Sequence, residues 1–281
     1  MNTTRLYHLL RAVLVALVLA AAWRPALAEN RSDLWWNPAE AGRGLIVIDH
    51  ETDLFVVWCT YNFGYARWFT VPGGTLSADG RTFEGALYET NSDVSGDATI
   101  KLGTAKIDFA PEDLPRGWAR YTIRYGTGQN VFVETHDLTR QTFGSGAPAW
   151  GADATDIWWD PSNPLWGVAA IQHGADDIFG ILLTYDRYGN PTFFVSPSRP
   201  EGAANSVTPG TRFGGPIYGT RVLSGPSGPF NPAAVEVWNA GSASMRFSRD
   251  ATGFTTQMEF STTVRRVGNA NLVRLPFGAG R

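Results

Sequence analysis

The sequence is poor in cysteine and in charge. Cys59 is the one cysteine among 281 residues, so the chain cannot form an internal disulfide. Charged residues make up 17% of the chain and the net charge is −3, which argues against binding to nucleic acid or to an anionic membrane surface. No Cys/His spacing of a known metal site is present, so we expect neither a metal nor another cofactor. Stability must come from a hydrophobic core, in which Cys59 is an inert thiol; a reactive thiol is the alternative.

Long apolar runs are also absent after the first residues of the chain. Residues 12–23 form an apolar segment that is short for a membrane span, and Arg5 and Arg11 precede it. Ala26-Leu27-Ala28 follows as an A-x-A cleavage site. This pattern predicts a signal peptide over 1–28, cleaved near Ala28, and a periplasmic or secreted protein with no transmembrane segment in the mature chain. An uncleaved anchor is the alternative.

What the chain does contain is a repeat. "DLWWNPAE" at 33–40 returns as "DIWWDPSN" at 156–163, and further matches follow in the same order. Between the copies, the stretch near 143–152 is rich in Gly, Ala, Ser and Pro, as a linker is. We therefore expect a first unit over 29–142, a linker over 143–152 and a second unit over 153–281.

Within each unit the apolar residues alternate with a period of two. In "GWARYTIRY" (117–125), Ala119, Tyr121 and Ile123 share one face, which is typical of a half-buried antiparallel strand. "LFVVWCTY" (54–61) is apolar on both faces and needs cover on both. Aromatic residues make up 13% of the chain, and hairpin-sized turns separate the strands. The sequence predicts an all-β fold of two tandem antiparallel up-and-down meander units, each a small barrel or strongly curled sheet of about seven or eight strands.

The two copies resemble a repeat of exported proteobacterial proteins. Its usual form is W-x-N-P-x-E-S-G-W-G, followed by an apolar strand and a hairpin. The first copy keeps Asn37, Pro38 and Glu40 but has Arg43 at the second tryptophan, whereas the second copy keeps Trp166 and Gly167. That repeat family is functionally uncharacterised, so the resemblance implies export and a tandem-repeat architecture and no activity.

The paired tryptophans suggest aromatic surfaces. Adjacent strand residues point to opposite faces, so one indole of each pair plugs a barrel end while the other faces outward. Trp166 aligns with Arg43, and a core position would not accept an unpaired arginine, so we expect Trp166 to be partly exposed as a stacking platform near His173. The alternative is that Trp166 packs against the linker or the first unit.

His50 and His173 end equivalent strands. They are surface or turn histidines, or each pairs with a neighbouring carboxylate to form a weak metal site or a pH-sensitive site. The candidate carboxylates are Asp49 or Glu51 for His50, and Asp176 or Asp177 for His173. Glu40 is among the carboxylates that a glycoside hydrolase would need, but no catalytic motif is present.

These observations favour an exported, non-catalytic binding or interaction protein with aromatic-lined clefts. Its ligand would be a glycan, a lipid or another small apolar molecule, and no catalytic residue is assigned. A cell-envelope hydrolase using carboxylate or His–carboxylate groups is the alternative, and the oligomeric state stays open. The expected ligand-binding residues are Trp166, Trp158, Trp159, His173, Trp35, Trp36 and His50.

Overall fold

The fold is known from a computed structural model. It describes residues 30–50, 53–93, 96–127, 130–143, 153–174, 177–201, 212–223, 230–250, 253–262 and 266–277. The signal peptide expected over 1–28 and most of the expected linker, 144–152, lie outside this part of the chain. Within it, no helix is both long enough and apolar enough to cross a membrane.

The predicted all-β class is confirmed. Apart from single 3-10 turns at Pro38–Glu40 and Pro232–Ala234, the described elements are strands. The strands are β1 (Asp33–Trp36), β2 (Gly44–His50), β3 (Asp53–Asn62), β4 (Tyr65–Pro72), β5 (Thr75–Leu76), β6 (Thr82–Asp93), β7 (Gly96–Asp108), β8 (Trp118–Thr127), β9 (Asn130–Arg140), β10 (Asp156–Trp159), β11 (Gly167–His173), β12 (Asp177–Tyr185), β13 (Pro191–Pro200), β14 (Arg212–Val222), β15 (Val235–Asp250), β16 (Gly253–Thr262) and β17 (Arg266–Arg274).

The strands pair in two closed antiparallel circuits. In the first barrel, β1, β2, β3, β4, β6, β7, β8 and β9 pair in chain order, and β1 closes on β9 where Trp35 faces Arg140. In the second barrel, β10 to β17 pair in order, and β10 closes on β17 where Trp158 faces Arg274. Both barrels lie within one compact unit, Arg31–Arg281. The division into domains at 29–142 and 153–281 stays a prediction.

Each barrel has its own core, and a third apolar layer lies between them. Ala119, Tyr121 and Ile123 all face the first core, as their alternation predicts. On β3, Trp58 faces that same core while Cys59 faces the other way, into the layer between the barrels. "LFVVWCTY" is therefore covered on both faces. We call the third cluster the inter-barrel layer; it includes Leu34, Ile46, Phe55, Val57, Cys59, Trp68, Ile157, Ile171, Ile181, Leu183 and Phe193.

Glycine lets the short first strand of each barrel lie close to its neighbour. A Cβ at Gly44 would collide with the backbone carbonyl oxygen of Trp35, and one at Gly167 would lie 3.0 Å from that of Trp158. The contact at Gly44 excludes a larger side chain, and the one at Gly167 leaves little room for a Cβ. The same spacing from tryptophan pair to glycine thus brings β1 close to β2 and β10 close to β11.

Candidate functional site

Trp35 and Trp158 fill equivalent places in the two cores. They are 3% and 0% exposed, and each indole donates from Nε1 to a backbone oxygen four residues earlier, at 3.0 and 2.9 Å. The guanidinium of Arg140 lies over the Trp35 ring, and that of Arg274 lies over Trp158. Buried indoles with satisfied N–H groups stabilise a core, so these two residues are the expected plugs.

The second tryptophan of each pair points away from the core, as strand alternation requires. Trp36 and Trp159 are both partly exposed. Trp36 lies at a groove between the two barrels, while the Nε1 atom of Trp159 is buried without a hydrogen-bond partner among the described residues. Of the four paired tryptophans, Trp36 is therefore the one that lies outside a core and also lines a groove.

The expectation that Trp166 is exposed was wrong. Trp166 is 3% exposed and belongs to the core of the second barrel, where its ring meets Phe260 edge-on at a centroid distance of 5.0 Å. It lies in the same core as Trp158, so these two do not form a surface platform with His173 and Trp159. Whether any of the predicted tryptophans binds a ligand stays a prediction.

The reason for the error lies at Arg43, in the first barrel. Its side chain is 14% exposed, and its Nη2 donates to Glu40 at 2.8 Å while Nη1 lies 3.9 Å from Glu134. The guanidinium also packs on the ring of Phe230 at 4.3 Å. A nearly buried arginine is tolerated because its charge is paired, so the presence of arginine does not imply exposure in the sister barrel.

His136 completes this charged cluster. Its Nδ1 lies 2.8 Å from Glu40 and its Nε2 lies 3.6 Å from Glu134. The Tyr125 hydroxyl donates to Glu134 at 2.9 Å. Interaction with His136 is the main reason why the pKa of Glu134 is lowered, against the effect of burial. Burial is the main reason why the pKa of Tyr125 rises to about 12.

Two of the carboxylates predicted to pair with the histidines, Asp49 and Asp177, pair with arginines instead, and the other two, Glu51 and Asp176, lie outside the described residues. Asp49 pairs with Arg31 at 2.8 Å and Asp177 with Arg199 at 3.4 Å. The two histidines reach instead across the molecule, each to the first strand of the opposite barrel. His50 Nε2 lies 3.2 Å from Asp156 and His173 Nε2 lies 2.9 Å from Asp33.

Each crossed pair is part of a larger arrangement, which we call a clasp. In one clasp Asp156 also binds Arg274 at 2.6 Å, and Phe277 stacks on His50 at 4.0 Å. In the other clasp Asp33, Arg140, His173 and Phe143 repeat the arrangement, with the ring of Phe143 stacked at 4.0 Å. The clasps join the two barrels at equivalent points through the histidines. Whether His50 or His173 also binds a ligand stays a prediction.

Stability should depend on the protonation of His173. The hydrogen bond to Asp33 raises the pKa of His173 above its usual value, although burial opposes the rise. The folded protein therefore binds this proton more tightly than the unfolded chain, and the gain is complete below the unfolded pKa of about 6.5. The gain is lost as pH rises through the folded-state pKa.

We expect the melting midpoint of the native protein to exceed that of His173→Gln most at about pH 5.5, and the difference to shrink towards about pH 8.5. Thermal denaturation of both proteins across this range measures it. Glutamine keeps a hydrogen-bond donor while it removes the titration. A difference that is constant or grows with pH would contradict the assignment.

A groove runs along the inter-barrel layer. Its volume is about 200 Å³, roughly that of seven liquid waters. One wall comes from β1, β2 and β3 of the first barrel, and the other from β12, β13 and β14 of the second. Its lining is mainly apolar, with Trp36, Phe179, Phe193, Ile181, Val195 and Cys59 among the contributors. Polar groups are few, and Arg43, Gln141 and Thr220 supply them.

Cys59 does not make this groove reactive. Burial raises the pKa of its thiol to about 12, so the thiolate that would act as a nucleophile is absent at neutral pH. The expectation that Cys59 is buried is confirmed. Within the described residues, no group of three or more His, Cys, Asp or Glu side chains is arranged to hold a metal ion.

The groove residues of the second barrel were missed by sequence reasoning. Phe179, Ile181 and Phe193 read as ordinary strand residues, since nothing in their alternation distinguishes a barrel core from a layer between barrels. The apolar outer face of β3 was the one available signal, because it required a covering surface. Glu134 and His136 lie on β9, far along the chain from Arg43, and no local pattern indicates that they contact it.

No protein family, no curated protein and no solved structure matches this chain. The groove, the clasps and the charged cluster are the features of the molecule that indicate its function.

Proposed function

We propose that this chain is an exported, non-catalytic binding protein that holds a small apolar molecule in the inter-barrel groove. The apolar lining favours such a ligand over a glycan, which needs many hydrogen-bonding partners. Flat rings from Trp36, Phe179 and Phe193 supply contact area at low cost in side-chain entropy. Export rests on the signal-peptide pattern of residues 1–28.

The observation that carries the proposal is a difference between the two sides of the inter-barrel layer. Cys59 of the first barrel and Phe193 of the second line the groove. The equivalent positions on the other side hold Leu183 and Trp68, both larger and both buried in the same layer. Trp68 also donates from its indole to the backbone oxygen of Thr184 at 3.0 Å.

Space left in an otherwise close-packed layer forfeits contacts that a ligand would restore. The chain itself shows that larger residues can occupy the equivalent positions. The smaller pair at the groove therefore supports binding there rather than packing alone.

Naphthalene is a suitable probe because it is flat, apolar and fluorescent. We expect it to bind the mature protein with a Kd below about 1 mM. Phe193→Trp and Cys59→Leu introduce the residue types found at the equivalent positions, Trp68 and Leu183. Each should weaken binding at least about tenfold by occupying the groove. Fluorescence titration measures both effects.

Tyr188→Trp is the matched control, because it adds an indole at a side chain that is 67% exposed and does not line the groove. It should leave the Kd unchanged. If naphthalene does not bind, or if it binds all three variants as it binds the native protein, the groove is not a binding site.

The alternative, a cell-envelope hydrolase, would use the charged cluster of Glu40, Arg43, Glu134 and His136. A general base needs a ring nitrogen that is free to accept a proton from substrate or water. Both ring nitrogens of His136 face carboxylates, at 2.8 and 3.6 Å. This arrangement supports an internal network more than a catalytic one, and binding remains the favoured function.

A further inference from the structure

One end of the groove carries two buried hydroxyl groups. The Thr220 Oγ1 and Tyr61 Oη atoms face each other, and neither makes a well-formed hydrogen bond within the described part of the chain. Thr220 and Gly42 line the groove. The Tyr61 hydroxyl belongs to the same end, since a Cβ built on Gly42 would lie 3.0 Å from it.

Unpartnered buried hydroxyls are costly, because each has lost its hydrogen bonds to water without replacing them. Even where Tyr61 and Thr220 interact, one hydrogen bond between two hydroxyls leaves one O–H without an acceptor. The ring of Phe230 stacks on Tyr61 at 5.9 Å and shields it on one side. A ligand with a polar group at this end of the groove would form hydrogen bonds with the two hydroxyls.

We infer that the ligand of the groove carries one neutral hydrogen-bonding group, a hydroxyl or a carbonyl, at the end where Thr220 and Tyr61 lie. The inference rests on the proposed binding function and assigns the orientation and chemical class of the ligand: an apolar body against the apolar lining that includes Phe179, with the polar group beside Thr220 and Tyr61.

The charges near this end of the groove favour a neutral polar group on the ligand over an anionic one. Arg43 lines the groove, but its guanidinium already faces Glu40 at 2.8 Å and Glu134 at 3.9 Å. No positive charge is left over for a carboxylate. Burial raises the pKa of Tyr61 to about 12, so its hydroxyl keeps its proton and can both donate and accept.

Three probes with one ring system separate the possibilities: naphthalene, 2-naphthol and 2-naphthoate. We expect the native protein to bind 2-naphthol roughly three- to tenfold more tightly than naphthalene, as one hydrogen bond to a buried hydroxyl allows. The anion 2-naphthoate should bind more weakly than 2-naphthol. Fluorescence titration at neutral pH gives the three Kd values.

Thr220→Val and Tyr61→Phe remove the hydroxyls with little change in shape. Together they should bring the ratio of the naphthalene and 2-naphthol Kd values to about one, while naphthalene binds as before. A merely structural role for these residues would change both Kd values alike.

Equal binding of naphthalene and 2-naphthol by the native protein, tighter binding of 2-naphthoate, or a ratio that survives both substitutions would overturn the inference about the polar group while binding itself stands. Binding of none of the three compounds would contradict the proposed function as well. Because the native protein alone supplies the ratio, the test holds even if a variant fails to fold.

Discussion

Replacing Asp156 with alanine should lower the free energy of unfolding by about 3 kcal/mol. The Asp156 side chain is 0% exposed, and it binds Arg274 at 2.6 Å, His50 at 3.2 Å and the backbone N–H of Ile157 at 2.8 Å. Removing one member of a buried ion pair leaves the others without compensation, which costs about 3–5 kcal/mol. Arg274 is 38% exposed and can recover some hydration, so the low end of that range applies.

The measurement is thermal or urea denaturation, in which this loss corresponds to a fall in melting midpoint of roughly 6–12 °C. Asp33→Ala removes the equivalent residue of the other clasp and should have a similar effect. Asp113→Ala is the control, since its carboxylate is 64% exposed and pairs with Arg120 at the surface. The control should lose much less stability than either clasp variant, since exposed ion pairs contribute little. If Asp156→Ala loses no more than Asp113→Ala, the clasps do not stabilise the contact between the barrels.

Trp166→Ala should lower the free energy of unfolding by about 3–5 kcal/mol, as large-to-small substitutions of buried aromatic residues do. The residue is 3% exposed and contacts the core of the second barrel, so alanine leaves a cavity. Because Trp166 does not line the inter-barrel groove, binding of naphthalene should persist in the folded variant.

Denaturation with a parallel naphthalene titration tests both parts of this prediction. Tyr188→Ala, at an aromatic residue that is 67% exposed, is the control and should change stability by less than about 0.5 kcal/mol. A Trp166→Ala protein as stable as the native one would restore the view that this indole lies at a surface.

The barrel architecture followed from local patterns. Alternation of Ala119, Tyr121 and Ile123 assigned a core face because strand side chains alternate by covalent geometry. Apolar residues on both faces of the strand at 54–61 required two covering surfaces, and these are the first core and the inter-barrel layer. Information of this kind lies within a few residues, so a single sequence contains it.

The clasps and the charged cluster depend on contacts between residues far apart in the chain, which no local sequence pattern predicts. His173 meets Asp33, 140 positions earlier, although carboxylates stand beside it in the chain. Arg43 is nearly buried because Glu134 and His136 come to it from a distant strand. We inferred that Trp166 is exposed because Arg43 stands at the equivalent position. Arg43 is nearly buried, however, because Glu40 and Glu134 pair with its charge.

The most direct test of ligand binding between the barrels is an intermolecular NOE measurement on the mature protein with 2-naphthol. The account predicts cross-peaks from the ring protons to methyl groups of Ile181 and Val195, which line the groove on the second barrel. Cross-peaks confined to methyl groups of Val131 and Val133, exposed apolar residues on the β8–β9 hairpin, would place the compound outside the groove and contradict it.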